Sequence, residues 1–434
     1  MNTSYEPPTD VRSLLRLDQG LVHSDVYSSP AIFDLEMAKI FHRGWVYVGH
    51  DSEIPNNGDY VLRWIGNQSV IMNRDDRGKI NLFMNRCRHR ANSVCQFDAG
   101  NSSYFRCAYH GWTYKNSGEL AGVPLREGAY GERFRREDFP LVSPRVDIYR
   151  GFIWGDLSAE GIDLDEHLGP AGKKAIDLFC DASPEGEVIL RQGSLKGLIH
   201  ANWKFQGGDG YHPGFTHQAT FMYMRGKRNG NSRNPMTNGG TIEEGHRSRD
   251  LGQGHYALDL RSVKRNRLPD TAWAREYRET MLKVYGKERA DFLIQTGGNP
   301  HTVFMPNVHL VNNDVRVIRP TAVDRFEITF YCAFLKGAPH ELNLMRMRDT
   351  EDRMGPAGSV NPDDVDMFER NQLGMQQTVD PWKYMGRGLD REFIDDDKGT
   401  PEAYRWNGTL TGHYADELTQ RAQLRWWAEH LSRP

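Results

Sequence analysis

Two short clusters of cysteine and histidine constrain this chain more than any other feature of its sequence. The first reads Cys-x-His, at Cys87 and His89, and the second reads Cys-x-x-His, at Cys107 and His110. Two cysteines and two histidines in paired clusters are typical of a metal site. Zinc also takes this ligand set, but usually with both cysteines in one pair and both histidines in the other.

Each pair in this chain instead mixes one cysteine with one histidine. A Rieske [2Fe–2S] centre requires that mixture, because two thiolates hold one iron, two imidazoles hold the other, and each short loop supplies one ligand of each kind. The pattern therefore favours an iron–sulfur cluster over a structural zinc ion.

The flanking residues predict a small β fold around this site. Short runs rich in apolar and β-branched residues, separated by turn residues, predict strands at 60–64, 69–73 and 79–84. Together with Gly111-Trp112 after the second histidine, they resemble the Rieske domain of the ring-hydroxylating oxygenase large (α) subunits. That resemblance extends from about Phe33 to the C-terminal helix and is strongest for the benzoate-type subgroup.

The rest of the chain predicts an α+β fold. We expect an N-terminal arm and helix at 1–41, the β-rich cluster domain at 42–165, and a catalytic domain at 166–434. β-branched and aromatic runs at 302–305, 315–318 and 326–331 favour an antiparallel sheet covered by helices, and the resemblance implies a helix-grip-like arrangement. The stretch from Gly226 to Gly254 is rich in Gly, Asn, Arg and Ser and is interpreted as a loop.

Composition excludes several functional classes. A net charge of −3 over 434 residues argues against a nucleic-acid partner, which requires a basic patch. The N-terminus lacks a signal pattern, and no apolar run is long enough to span a membrane. Five cysteines, three of them outside the two clusters, fit a reducing cytoplasm.

A second candidate metal site follows in the stretch 209–217, which contains His212 and His217. On one helix these side chains would project about 140° apart. For both rings to bind one metal, the helix has to break at Pro213-Gly214 and redirect His217. Non-haem iron that activates O2 takes two histidines and one carboxylate on one face. The residues alone do not identify the carboxylate.

The resemblance supplies the missing ligand. Asp209-Gly210-Tyr211-His212 and His217 are similar to the family's Asp-x-Tyr-His-x₄-His, and 355–364 is similar to its Gly-Pro-Ala-Gly … Asp-Asp segment. This implies that Asp364 binds iron, with Asp363 as the alternative, and that Asp209 links His212 to His110 or His89 of a neighbouring subunit. The segment before Asp209 is about four residues shorter than is common in the family and lacks its Glu-Asn pair.

The resemblance also implies the reaction. A terminal oxygenase α subunit would use O2, iron(II) and electrons from a ferredoxin or reductase to hydroxylate an aromatic substrate. The expected reaction is cis-dihydroxylation and the expected substrate is an aromatic carboxylate. The subunit would form an α3 or α3β3 oligomer, the latter with a small β subunit. No Gly-x-Gly-x-x-Gly motif is present, so NAD(P)H would act only through a separate reductase. Arg316 is the candidate partner of a substrate carboxylate, although a structural ion pair explains it equally well.

Several alternatives remain open from the sequence. A Rieske monooxygenase or demethylase, or a dioxygenase of a neutral aromatic hydrocarbon, would carry the same metals. An electron carrier would leave the second site unexplained, and a zinc-stabilised binding protein would be colourless where a Rieske protein is brown.

Overall fold

The computed structural model describes residues 10–207, 246–262, 268–355 and 358–433. These residues form two compact units. The first unit comprises Phe41–Leu164, and the second combines the described residues up to Ile40 with those from Asp165 onward.

The first unit is built from short antiparallel strands, as the runs of apolar and β-branched residues predict. The predicted strands at 60–64, 69–73 and 79–84 are confirmed as Asp59–Ile65, Gln68–Arg74 and Ile80–Met84. Gly66 adopts a φ of 57° in the turn between the first two, a conformation that favours glycine. The strands of this unit form three sheets. In sheet order, the first contains Ile80–Met84, Gln68–Arg74, Asp59–Ile65 and Ala99–Asn101, and the second contains Leu120–Gly122, Thr113–Lys115 and Tyr104–Arg106. The third contains Arg145–Tyr149, Phe152–Asp156 and Val46–His50.

The second unit contains a nine-stranded sheet in which every described pairing is antiparallel. Its strands, in sheet order, are Ser194–Ile199, Arg325–Cys332, Asp314–Ala322, Val308–Val311, Thr302–Phe304, His255–Asp259, Arg247–Gly252, Thr409–His413 and Phe393–Asp395. Interpreting all of 226–254 as a loop was wrong for Arg247–Gly252, which pairs with strands on both sides. Two smaller sheets pair Leu15–Arg16, Leu21–His23 and Trp382–Tyr384, and Val188–Ile189 with Phe334–Leu335.

Helices pack against this sheet, which confirms the predicted α+β class. The principal ones, in chain order, are α1 (Pro30–Glu36), α2 (Leu164–Asp181), α3 (Trp203–Gly207), α4 (Ala272–Thr296), α5 (His340–Met354), α6 (Asn361–Met375) and α7 (Leu418–Leu431). The C-terminal helix α7 packs on Arg247–Gly252 and His255–Asp259, and α5 packs on Arg325–Cys332. None of the described helices combines the length and apolar character that crossing a bilayer requires.

A buried ion pair joins three of these helices. Glu36 at the end of α1 and Lys204 in α3 both have fully buried side chains, with 2.5 Å between Oε1 of Glu36 and Nζ of Lys204. The Glu36 carboxylate also accepts hydrogen bonds from the indole N–H groups of Trp203, at 2.8 Å, and Trp427, at 2.7 Å. Because a polar group without partners is costly inside a protein, these three donors stabilise the buried carboxyl group of Glu36.

Candidate metal centres

Two loops of matching backbone geometry carry the four cluster ligands predicted from the sequence. In the first loop, the N–H of Cys87 donates to the carbonyl of Asn92 at 2.8 Å, and the N–H of Ala91 donates to the carbonyl of Cys87 at 3.0 Å. In the second, Cys107 donates to Trp112 at 2.8 Å, and Gly111 donates to Cys107 at 3.0 Å. Each loop is therefore closed by two hydrogen bonds that join the cysteine to the residues four and five positions after it.

A residue of positive φ occupies the equivalent position of each loop, Ala91 at 63° and Gly111 at 72°. This left-handed conformation allows the chain to reverse within one turn. Both members of each Cys/His pair lie within one such turn, which explains why a local sequence pattern was sufficient to find the site.

The two loops bring side chains of the same kind together. The thiols of Cys87 and Cys107 are buried and close enough for each to affect the pKa of the other. The imidazole rings of His89 and His110 meet with their centroids 4.7 Å apart. This is the arrangement that a Rieske [2Fe–2S] cluster needs, with two thiolates for one iron and two imidazoles for the other.

The histidine side also has an open ligand position. Nδ1 of His89 is shielded from solvent and has no hydrogen-bond partner in the described chain, which is costly unless a metal or another group binds there. The ring of His89 is held in place by stacking on Trp112, with centroids 5.1 Å apart and planes 8° from parallel. Among the described residues, no group of three or more Cys, His, Asp or Glu side chains is arranged to hold a single metal ion. These residues fit the cluster.

Hydrogen bonds to the sulfur atoms distinguish the two cysteines. Burial raises the pKa of the Cys87 thiol, opposed by the Tyr114 hydroxyl, which lies 3.3 Å from the sulfur. Burial also opposes ionisation of Cys107, but backbone N–H donors and the amide of Asn92 lower its pKa. Donors to the sulfurs tune a bound cluster. The sequence analysis did not identify Tyr114 or Asn92, since neither belongs to the ligand pattern.

The second candidate site is described only in part. Asp209, His212 and His217 lie outside the described residues, so their predicted roles stay predictions. Helix α3 ends at Gly207, directly before that segment, and every residue of α3 is buried. The chain that leads to the predicted histidines is therefore fixed inside the second unit up to Gly207.

Asp364 lies in the first turn of α6, which begins at Asn361-Pro362. Its side chain is buried, whereas that of the neighbouring Asp363 is partly exposed, because adjacent residues on a helix point about 100° apart. Phe368 and Gln372 are buried at successive four-residue steps from Asp364, so all three share the inward face of α6.

That inward face contacts the chain just before the predicted histidines. The rings of Phe368 and Phe205 are stacked with centroids 6.3 Å apart. The backbone N–H of Asn202 donates to the Gln372 side chain at 2.8 Å, and that of His200 donates to Glu369 at 3.2 Å. The element carrying Asp364 is thus held against the element that leads to His212.

Arg316 is buried on the sheet strand Asp314–Ala322. Its guanidinium lies 3.8 Å from the Asp314 carboxylate, 3.4 Å from the sulfur of Met354 at the end of α5, and over the ring of Phe330. Its Nε atom is buried and has no hydrogen-bond partner in the described chain. Burial and the positive charge of Arg316 lower the pKa of the adjacent His309 to about 3, so His309 is neutral.

Comparison with known proteins assigns both units. Residues 44–134 match the family model described as the Rieske [2Fe-2S] domain, and residues 166–432 match that of the ring hydroxylating alpha subunit (catalytic domain). A solved structure, naphthalene 1,2-dioxygenase from Rhodococcus sp. bound to indole, superimposes with a TM-score of 0.79 at 26% identity, covering 95% of each chain.

Two relatives are similar in sequence. Toluate 1,2-dioxygenase subunit alpha of Pseudomonas putida is 34% identical over 363 residues, which are 81% of this chain and 78% of that protein. N,N-dimethyl phenylurea N-demethylase subunit alpha of a Sphingobium species is 41% identical over 206 residues, which are 46% of this chain and 44% of that protein.

A paired Cys/His cluster domain followed by an α+β catalytic unit defines the class of Rieske oxygenase subunits. This chain belongs to the ring-hydroxylating alpha subunit family, and its likeness to the toluate enzyme confirms the benzoate-type resemblance. It is an aromatic-ring-hydroxylating oxidoreductase, with a Rieske [2Fe–2S] cluster and the mononuclear iron of that family.

Proposed function

We propose that this α subunit catalyses the cis-dihydroxylation of an aromatic carboxylate. The observation that carries the proposal is the pairing of thiols and imidazoles in two matched loops, on a chain whose catalytic domain belongs to the ring-hydroxylating family. The resemblance to toluate 1,2-dioxygenase supports a carboxylate substrate, since toluate is an aromatic acid.

In this proposal the chain's residues have separate tasks. Cys87, Cys107, His89 and His110 hold the cluster, and His212, His217 and Asp364 hold the mononuclear iron. When bound, the cluster supplies single electrons and the mononuclear iron activates O2. Burial of Asp364, and of the aromatic pair Phe205 and Phe368 beside its helix, limits the access of bulk water to the carboxylate.

The proposed partners follow from the family resemblance and the chain's composition. Electrons come from a ferredoxin or reductase, and NAD(P)H is used only by that separate protein. The subunit assembles as an α3 or α3β3 oligomer, in which Asp209 connects the cluster of one subunit to the iron of its neighbour.

Product analysis tests the reaction. The purified protein, reconstituted with iron(II) and a surrogate reductase, is incubated with benzoate, methylbenzoates and neutral aromatic hydrocarbons under ¹⁸O-labelled O2. We expect a cis-dihydrodiol of an aromatic acid with both new oxygen atoms labelled. A phenol with one labelled atom, or loss of an N-methyl group from a phenylurea, would instead establish the monooxygenase or demethylase alternative that the Sphingobium relative favours.

Substitution of Arg316 tests the substrate class. In the proposal, the Arg316 guanidinium pairs with the carboxylate of the substrate. Removing one partner of a buried charge pair typically costs about 2 kcal/mol or more, so Arg316→Leu is expected to lower kcat/KM for the aromatic acid at least ~30-fold. The neutral amide of the same acid should be turned over as well as by the parent, because only the carboxylate needs a cation.

Arg319 offers a matched control. It lies on the same strand, is partly exposed and pairs with Glu327 at 3.0 Å, so Arg319→Leu should leave both rates unchanged. An equal loss with the acid and the amide in Arg316→Leu would show that Arg316 serves only as the structural partner of Asp314.

A further inference from the structure

The two cluster loops, residues 87–92 and 107–112, share their internal hydrogen bonds but differ at the base, where the chain enters and leaves each loop. The second loop is closed by a strand pair, in which Arg106 before the loop lies opposite Thr113 after it. In the described chain, none of the residues 85–98 belongs to a strand, so the first loop has no such pair. Another group has to hold its two ends together.

The side chain of Asn85 takes the place of that strand pair. Its amide oxygen accepts hydrogen bonds from the backbone N–H groups of Val94, at 2.9 Å, and Cys95, at 2.8 Å. Its amide nitrogen donates to the backbone carbonyl of Cys95 at 3.0 Å. Asn85 lies two residues before Cys87, and Val94 lies two residues after Asn92. One buried amide therefore joins both ends of the first loop.

Asn85 also anchors the loop to the four-stranded sheet of the first unit. Its backbone N–H donates to the carbonyl of Ser69, which lies on a strand of that sheet, at 2.9 Å. Val94 and Cys95 are buried in the same apolar core as Cys87. The Asn85 amide is the partner of three buried backbone groups that would be costly to leave unpaired. The first loop is thus docked on the sheet through Asn85.

The end of the first loop contacts the sulfur of the second. The carbonyl of Asn92 accepts the N–H of Cys87 at 2.8 Å, and the side-chain nitrogen of Asn92 donates to the sulfur of Cys107 at 3.7 Å. A donor to a ligand sulfur stabilises the more negative, reduced form of a cluster and so raises its reduction potential. A shift of residues 94–95 would move Asn92 and lengthen this contact.

We infer that Asn85 is a positioning residue for the Rieske cluster: its amide replaces a strand pair at the base of the first loop and thereby holds Cys87, His89 and the Asn92 donor in place. A metal site tolerates errors of only about 0.2 Å in its ligand distances, so a small shift of the loop base is sufficient to weaken it. This role is independent of the substrate and of the mononuclear iron.

The test compares Asn85→Leu with Asn73→Leu. Both changes replace a buried amide of the first unit by an apolar side chain of similar size. Asn73 lies within the strand Gln68–Arg74 and donates to the backbone carbonyl of Asn116 at 2.8 Å, away from the base of the first loop. Four quantities are measured on the intact protein: the half-life of the cluster in the presence of an iron chelator, its reduction potential, the EPR spectrum of the reduced cluster, and the melting temperature.

We expect Asn85→Leu to release its cluster about 10-fold faster or more, because the ligands of the first loop lose their support. The ratio of reduced to oxidised cluster at a fixed potential should fall about tenfold, which corresponds to about 59 mV for a one-electron couple. The EPR spectrum should shift or broaden with it. Asn73→Leu should lower the melting temperature and leave the other three quantities at the parent values.

If Asn85→Leu does not fold, Asn85→Asp tests the same role, because a carboxylate accepts both N–H groups but cannot donate to the carbonyl of Cys95. A smaller change in the same direction is expected. Parent-like cluster half-life and potential in the folded Asn85 variant, with only a lower melting temperature, would overturn the inference and leave Asn85 a stabilising residue. Equal changes in Asn85→Leu and Asn73→Leu would also overturn it, since they would report a general loss of stability.

Discussion

The Asp364→Ala variant is expected to lose its mononuclear iron and its product formation while keeping a normal Rieske spectrum. This is the largest effect that we expect from any single substitution. In a site of two histidines and one carboxylate, the carboxylate is the single anionic protein ligand. Removing it should therefore weaken iron binding more than the roughly 10–100-fold loss that follows substitution of residues hydrogen-bonded to the ligands. Iron analysis after desalting, the visible spectrum and product yield are the measurements.

Asp363→Ala is the matched control, because it makes the same chemical change one residue away. Asp363 points about 100° from Asp364 and is partly exposed, so this variant should keep its iron and its activity. Full iron occupancy in Asp364→Ala would transfer the ligand role to Asp363 or another carboxylate.

Cys87→Ser is the reciprocal control. It removes one of the two buried thiols and should abolish the visible and EPR spectra of the cluster, whereas iron(II) binding at the second site should persist. The two variants together assign each metal to its own residues.

Lys204→Met is expected to lower the free energy of unfolding of the second unit by about 3–5 kcal/mol. The substitution leaves the Glu36 carboxylate buried with only two indole N–H donors, and an uncompensated buried charge is the physical cause of the loss. The principal helices belong to this unit, so urea unfolding followed by far-ultraviolet circular dichroism measures the effect.

The double variant Glu36→Gln/Lys204→Met separates lost charge pairing from lost packing. Removing both charges should recover much of the stability, because replacing a buried pair by neutral groups is often close to neutral. Lys336→Met, in which the lysine pairs with Glu187 at the surface, should change the unfolding transition little. A double variant as unstable as Lys204→Met would show that the shape of the lysine side chain, and not its charge, matters at this position.

The cluster site and the main strands of the first unit could be predicted from the amino-acid sequence alone. The Cys/His pairs are local, since each ligand pair is closed by a turn of a few residues, so spacing alone identifies them. Runs of apolar and β-branched residues likewise indicate the strands Asp59–Ile65 and Gln68–Arg74, whose pairing is set by a two-residue turn. The family resemblance, rather than the residues alone, directed attention to Asp364.

Contacts between residues far apart in the chain depend on the packing of the fold and could not be predicted from the sequence. Arg247–Gly252 has little apolar periodicity and is a strand because partners on both sides satisfy its backbone. Glu36 and Lys204 are 168 residues apart, and Gln372 and Asn202 are 170 apart, so no local pattern signals either contact. Metal ligands closed by a single turn can be read from their spacing, whereas buried polar partners are chosen by packing, which brings together residues from separate parts of the chain.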